Sequence, residues 1–452
     1  MAEAAEQQNT QQRLEVLSDA LHSGTADQVR HLLESLHPAE IADLLESLPH
    51  DPRDILWELV EAGIKGEVLT EVNEEVRAGL IEDMETAQLV AIVESLDTDD
   101  LADLLQDLPG AVIHELLYSM DKQNRQRLEA VLSYPDDTAG GLMDLEIVTV
   151  RANVTLDVVL RYLRLRGTIP DLTDSLMVVD RFDHYQGVLP LATLLTSDPD
   201  ASVAEVMDRS ADGISANMKD VDVARLFEDR DLVSAPVIDD DGKLLGRITI
   251  DDVVDVIREE ADHSFMSMAG LDEDSDIFAP AILSARRRAV WLGVNLATAF
   301  LASWVIGLYE ATLQEVVALA VLMPIVASMG GIAGSQTLTI MIRGLALGQV
   351  GSSNARTLMI KEIAVSIMNG LIWSLVVALI VMAWFQDVEI GAIIAAALIV
   401  NLVAAALAGF SIPLALRRVG IDPALAGSVI LTTVTDVVGF TAFLGLGTWL
   451  LL

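Results

Sequence analysis

The hydrophobic period of this chain shifts as it runs from one end to the other. Between residues 12 and 135, apolar positions recur at i, i+3, i+4 and i+7 in segments parted by Pro-marked turns, the pattern of short amphipathic helices. From 136 to about 250, short β-branched runs alternate with amphipathic helices, the pattern of an α/β unit. Beyond 286 come apolar stretches at Ala289–Leu308, Val316–Ile342, Ile363–Phe385, Ile390–Leu416 and Ala424–Leu452. Each is long enough to cross the ~30 Å hydrocarbon layer of a bilayer. The expected fold is therefore multidomain. An all-α front (1–135) precedes two α/β copies (136–200 and 201–250), a connecting helix with an acidic linker (251–285), and a five-helix transmembrane domain (286–452).

The front contains an internal repeat. His37–Pro49 matches Asp97–Pro109 at an offset of 60, and a degenerate third copy runs over Glu85–Leu96. Each unit has one apolar stripe that only stacking on a neighbour can bury, which predicts a superhelical domain. Asp99, Asp100 and Asp103 sit at a helix start, where a carboxylate favours the positive end of the helix dipole. By themselves these carboxylates are read as caps first and as metal ligands second.

In the middle region the expected strands are Ile147–Val150, Leu176–Asp180 and Gly187–Leu191, followed by Gly213–Ala216, Ala235–Ile238 and Leu245–Ile250. The expected helices are Leu156–Leu165 and Val221–Asp229. The second copy, with Ser234-Ala235-Pro236-Val237, Gly246-Arg247-Ile248-Thr249 and Asp252, resembles a CBS domain, and the pair resembles a tandem CBS module. The first copy departs from the pattern, with Pro190 and Thr193 where the second has Thr249 and Asp252. The resemblance implies binding of one adenine nucleotide such as ATP, with Thr249 and Asp252 near the ribose.

From Asp251 the pattern predicts a helix, Asp251–Ala261. Asp252 and Asp255 share one side, and Val253, Ile257 and Ala261 form a packing stripe on another. The acidic run Asp272–Asp276 follows, and any signal from the soluble part must cross it to reach the membrane.

Charge divides the chain in the same place. Of 28 Lys and Arg and 68 Asp and Glu, residues 1–285 hold 20 and 61, a net charge of −41; the remainder is nearly neutral. So acidic a surface repels phosphate backbones and attracts cations, which argues against nucleic acid as a partner and for divalent ions. Only five of the basic residues are Lys, and an acidic, Lys-poor surface also suits a salt-adapted organism. There is no cysteine, hence no disulfide framework and no thiolate metal site. Met1–Thr10 is polar with no apolar core, which predicts no cleavable signal peptide and a cytosolic front.

Placing the front in the cytosol sets the topology. The loops Tyr309–Glu315 and Gln386–Glu389 fall outside and lack Lys and Arg. Arg286, Arg287, Arg288, Arg343, Arg356, Lys361, Arg417 and Arg418 all fall inside, as the positive-inside rule requires. Five spans then put the C-terminus outside. The chain is expected in the plasma (inner) membrane of a bacterium.

Within this apolar region one side chain stands apart. Asp436 is the sole ionisable side chain from Pro423 to Leu452, and a carboxylate at the centre of a span costs roughly 2.5–3.5 kcal/mol on insertion scales. Such a group faces a pore, a cavity or a buried partner. Thr432 lies four residues before it on the same face, with Ser428 a turn earlier. In the second span, Pro324 precedes Met329-Gly330-Gly331-Ile332-Ala333-Gly334-Ser335-Gln336, where small residues permit close helix approach and Gln336 requires a polar partner.

Together these segments resemble the MgtE family of magnesium channels. The most specific stretches are Tyr134-Pro135-Asp136-Asp137-Thr138-Ala139-Gly140-Gly141-Leu142-Met143 and Gly420-Ile421-Asp422-Pro423-Ala424 followed by Thr433 and Asp436. The resemblance implies a homodimer with a pore on its symmetry axis, where Asp436 of both copies selects Mg2+ and the Thr432 carbonyl lies nearby. It also implies a plug helix around Asp252–Glu260, pinned shut when cytosolic Mg2+ bridges its acids to those of the N-terminal and CBS domains. Asp252, Asp255 and Glu260 take the sensor role on this basis, with Asp231, Asp99, Asp100 and Asp103 as further candidates. One residue departs: Ile332 stands where the family has Asn, which removes an amide donor and acceptor from the pore region.

Two other functions fit the same residues. One is an ion-coupled secondary transporter of Mg2+, Mn2+ or Co2+ that uses Asp436; the other is a CBS-regulated sensor that conducts nothing. An enzyme does not fit, because none of the seven His lies in the membrane part and no phosphate-cradling Gly loop follows a strand.

Overall fold

A computed structural model describes residues 26–452 apart from 83, 85, 94–95, 97–103, 105–112, 114–124, 126–130, 272–275 and 352. The chain divides into two compact units. One comprises Met1–Asp262 and Asp274–Ala279, the other His263–Glu273 and Pro280–Leu452.

The first unit begins with short helices: α1 (Ala26–Leu33), α2 (Pro38–Glu46), α3 (His50–Leu59), α4 (Lys65–Glu71), α5 (Glu74–Glu82) and α6 (Thr86–Val93). The start of α2 shows why the repeat motif forms a helix. Pro38 occupies the first turn, where its missing N–H costs nothing, and the His37 N–H donates to Glu40 Oε2 at 3.0 Å. Ile41, Ala42, Leu44 and Leu45 then turn inward together. Of the second copy of the repeat only Leu104, fully buried, is described; Asp99, Asp100 and Asp103 lie outside the described residues.

The α/β region contains β1 (Thr149–Arg151), α7 (Leu156–Arg166), β2 (Ser175–Val179), β3 (Tyr185–Pro190), α8 (Leu191–Thr196) and α9 (Val203–Val206). The same order continues with β4 (Ile214–Ser215), α10 (Asp220–Arg230), β5 (Ser234–Ile238) and β6 (Leu244–Thr249). Both sheets have the same topology: the first strand pairs parallel with the second, and the second antiparallel with the third.

The two copies exchange segments across the linear boundaries expected at 136 and 201. Asp208 pairs with Val188 on β3 of the first copy, whereas Asp144 pairs with Arg247 on β6 of the second. The Ala139 and Gly140 N–H groups donate to the Met218 and Ala216 carbonyls at 2.7 and 2.9 Å. The physical reason is that the third strand of each sheet leaves an edge of unpaired backbone groups, and each copy covers the edge of the other. Gly187 permits one such approach: at φ +145°, a Cβ there would lie 2.3 Å from the Asp208 carbonyl oxygen.

From β6 the chain enters α11 (Ile250–Met268), which extends seven residues past the expected Ala261. Its packing register also differs from expectation. Val253 and Val256 are buried, while Ile257 and Ala261 are exposed, so i, i+3 spacing seats the helix rather than i, i+4. One apolar core runs from α1–α6 through the second CBS copy to Val253 and Val256.

The second unit contains five apolar helices: α12 (Ala281–Gly307), α14 (Val317–Ala346), α15 (Ala355–Phe385), α16 (Val388–Arg418) and α17 (Pro423–Leu451). All five are long and apolar enough to cross a membrane, as the hydrophobic pattern predicts, and the chain is an integral membrane protein. A short helix, α13 (Glu310–Glu315), caps the expected outer loop and was not legible as an element. α16 packs against α14, α15 and α17, and α12 lies on α17. Glycines make these approaches close: a Cβ at Gly334 would meet Leu431 at 2.8 Å, and one at Gly409 would meet the Gly334 carbonyl oxygen at 2.7 Å.

Candidate functional site

The expected membrane site lies on an unbroken helix. Pro423 occupies its first turn, and the Asp422 carboxylate caps it by accepting the Ala424 and Leu425 N–H groups at 2.9 and 3.1 Å. Asp436 is half-buried, and among the described residues no side chain or backbone group hydrogen-bonds or ion-pairs with its carboxylate. Thr432, four residues earlier, is exposed. Its hydroxyl donates to the Ser428 carbonyl at 2.9 Å, and its own carbonyl accepts from Thr435 Oγ1 at 3.0 Å. In this conformation the Thr432 carbonyl is engaged within its own helix, leaving the Asp436 carboxylate as the free anionic group of this face.

On α14, Ile332 is 58% exposed, and Ser335 and Gln336 are exposed beside it. The segment Ile332–Gln336 thus has an outward face that the chain itself leaves uncovered, while Gly330 and Gly334 point into the helix bundle.

Two polar residues inside the bundle escaped the sequence reading. Glu362 directly precedes Ile363, where the hydrophobic pattern starts the third span. It is 5% exposed inside α15, receives Thr337 Oγ1 at 3.4 Å, and has Lys361 Nζ at 3.3 Å. Asn401 on α16 is fully buried and donates through Nδ2 to the Val326 carbonyl at 2.9 Å. Its signal in the sequence was plain, a lone amide in an apolar span, but no motif marked it.

The expected sensor residues fall on α11 and its surroundings. Asp252 caps the helix: its Oδ2 accepts the Thr249 N–H at 3.2 Å and the Thr249 hydroxyl at 3.1 Å, and that hydroxyl also bonds Asp251. Thr249 and Asp252 are thus brought together, as the nucleotide reading requires, and the same contacts form a capping pair. The first copy replaces Thr249 with Pro190, which has neither N–H nor hydroxyl to give.

Asp255, a turn further, lies near the front helices. Desolvation raises the Glu71 carboxyl above its ordinary range, and the negative charge of Asp255 adds to this, while His37 and Arg258 pull the other way. Desolvation also raises Glu46 and Asp255, with Arg258 opposing in both. Glu71 therefore joins Asp255 in an acidic neighbourhood that only the fold assembles, and Glu46 shares the influence of Arg258 with both. Glu260 is half-buried farther along α11. Asp231 ends α10 in the left-handed conformation, φ +52°, so helix termination accounts for its place. Among the described residues, no group of three His, Asp or Glu side chains converges to hold one metal ion.

Comparison with known proteins covers nearly the whole chain. Residues 323–446 match the MgtE model, described as a divalent cation transporter; 36–137 match the MgtE intracellular N domain; and 198–259 match the CBS domain. The magnesium transporter MgtE of Thermus thermophilus is 31% identical over 440 residues, spanning 96% of this chain and 98% of that protein. Its namesake in Bacillus subtilis is 26% identical over 428 residues, 95% of each chain. The crystal structure of the cytosolic domain of the Mg2+ channel MgtE in complex with ATP matches 54% of this chain and 99% of its own, at 34% identity and a TM-score of 0.50. With that agreement across the helical front, the CBS region and the membrane helices, the chain belongs to the MgtE family of divalent cation transporters.

Proposed function

We propose that this chain carries Mg2+ across the bacterial inner membrane as a homodimer, with the front in the cytosol and the C-terminus outside, and that Asp436 selects the ion. The observation that carries this reading is the free carboxylate of Asp436 on the apolar helix α17, next to the uncovered Thr432. A charge placed there without an internal partner is expensive unless it meets water, an ion or a second copy. A second α17 across a twofold axis brings a second carboxylate. Mg2+ sheds its waters reluctantly and binds through one or two carboxylates, so an Asp pair suits a hydrated ion that must also leave.

The soluble region acts as the sensor in this reading. Asp252, Asp255 and Glu260 of α11, with Glu46 and Glu71 of the front, repel one another when no cation is present, and Mg2+ between them favours the closed form. Thr249 and Asp252 form the site for ATP, since a relative's cytosolic domain binds that nucleotide.

Purified full-length protein in liposomes tests the central statement. Mg2+ uptake is expected, and it is lost in Asp436→Ala with the dimer intact. A parent protein that takes up nothing would favour a non-conducting sensor. Uptake that stops when an ion gradient is collapsed, with Mg2+ still driven inward, would favour a coupled transporter.

A further inference from the structure

The side chain of Asn401 occupies a junction of three membrane helices. It projects from α16, fully buried, into space that exists because Gly330 on α14 and Gly439 on α17 lack side chains. A Cβ at Gly330 would lie 2.2 Å from Asn401 Nδ2, and a Cβ at Gly439 would lie 2.6 Å from it. Nδ2 donates to the Val326 carbonyl at 2.9 Å, which fixes the amide plane. The reverse orientation would set two oxygens face to face.

The other end of the amide is unpaired. Asn401 Oδ1 is buried and accepts a hydrogen bond from no described residue. A buried acceptor without a donor is costly, and a leucine of nearly the same shape would fill the space without that cost. Packing alone therefore does not account for an asparagine here. Gly439 lies three residues beyond Asp436, on the same side of α17. Whatever fixes the contact at Gly439 also fixes the height and rotation of the segment that presents the carboxylate.

We propose that Asn401 is a positioning residue of the ion pathway: its amide, held between Gly330 and Gly439, sets the placement of Asp436 and thereby the preference among divalent cations. The inference rests on the reading of Asp436 given above. Asn401 works through the helix contact and touches no ion.

The test is Asn401→Leu in the full-length protein, reconstituted in liposomes. Mg2+ uptake is measured in competition with Mn2+ and Co2+, together with the apparent KM, the maximal rate and thermal stability. The variant is expected to be at least as stable as the parent, yet its preference for Mg2+ over Co2+ should fall about tenfold, the scale of a 1.4 kcal/mol difference. If Asn401→Leu does not assemble, Gly439→Ala gives a second reading: the same loss of preference is expected, because the new Cβ strikes the amide and shifts it. Unaltered preference and KM in Asn401→Leu or in Gly439→Ala would overturn the inference. Uptake that persists in Asp436→Ala overturns the pathway and this inference with it, whereas a dead Asp436→Ala beside a parent-like Asn401→Leu overturns this inference alone.

Discussion

His263, near the end of α11, places Nε2 3.5 Å from Oδ2 of Asp422, the residue that caps the helix carrying Asp436. Five residues on, Met268 packs against a small apolar cluster of Leu338, Ile342, Ala408, Ala424 and Leu431, drawn from three membrane helices. The last turns of α11 therefore rest on the membrane domain, at the start of the helix with the proposed selective carboxylate. If α11 holds the pathway closed, His263→Ala should loosen it. Mg2+ uptake by His263→Ala liposomes should persist at internal Mg2+ concentrations that silence the parent, and unchanged inhibition would show that this contact has no part in gating.

Arg53 and Asp276 form a second long-range pair, 223 residues apart in sequence and both nearly fully buried. The guanidinium is bidentate, at 2.7 and 3.0 Å, and also reaches the Leu45 and Leu48 carbonyls at 2.9 Å. The Asp276 N–H donates to Glu75 Oε2 at 2.8 Å. The chain just before the first span is thus fastened to the helical front. Removing one partner strands a buried charge, so Arg53→Ala should destabilise the soluble region by about 3–5 kcal/mol. Denaturant unfolding of the full protein, followed by Trp57 fluorescence, measures this.

The same pair sets an acid limit. Burial acts to raise the Asp276 carboxyl, but hydrogen bonds from Arg53 and the Phe278 N–H, with the charges of Arg53 and His50, outweigh it and hold the group below its ordinary range. A carboxylate with a depressed folded pKa contributes stability that is complete above the ordinary aspartate value, about 3.9, and is lost as pH falls through the folded value. Stability of the soluble region should therefore drop below about pH 4, and the slope there should be shallower in Asp276→Asn. Equal slopes would remove Asp276 from the acid response.

Glu71 and Asp255 repel each other, and a divalent cation would relieve the repulsion. Proteolysis of the soluble region should slow as Mg2+ rises. Removing the charges in Glu71→Gln with Asp255→Asn should slow it without Mg2+ and flatten the dependence. A double variant that still needs Mg2+ for protection would place the sensor elsewhere.

Ile332 faces largely outward from its chain, so Ile332→Asn disturbs little internal packing. It restores an amide on the uncovered face of α14 and is expected to shift the preference among Mg2+, Mn2+ and Co2+. Competition curves identical to those of the parent would mean that this face lies away from the ion.

The sequence by itself determined what depends on near neighbours. Hydrophobic period separated helical front, α/β copies and five spans, because a helix or strand buries one face and its repeat appears in adjacent residues. The lone carboxylate of α17 was legible for the same reason: nothing else in that segment is charged. Tertiary structure alone decided the rest. The exchange of edge segments between the CBS copies, the approach of Glu71 to Asp255, the burial of Arg53 with Asp276 and the lodging of Asn401 between Gly330 and Gly439 all join residues far apart in the chain. No local pattern encodes such pairs, since their energies arise from desolvation and packing that exist only once the elements have met.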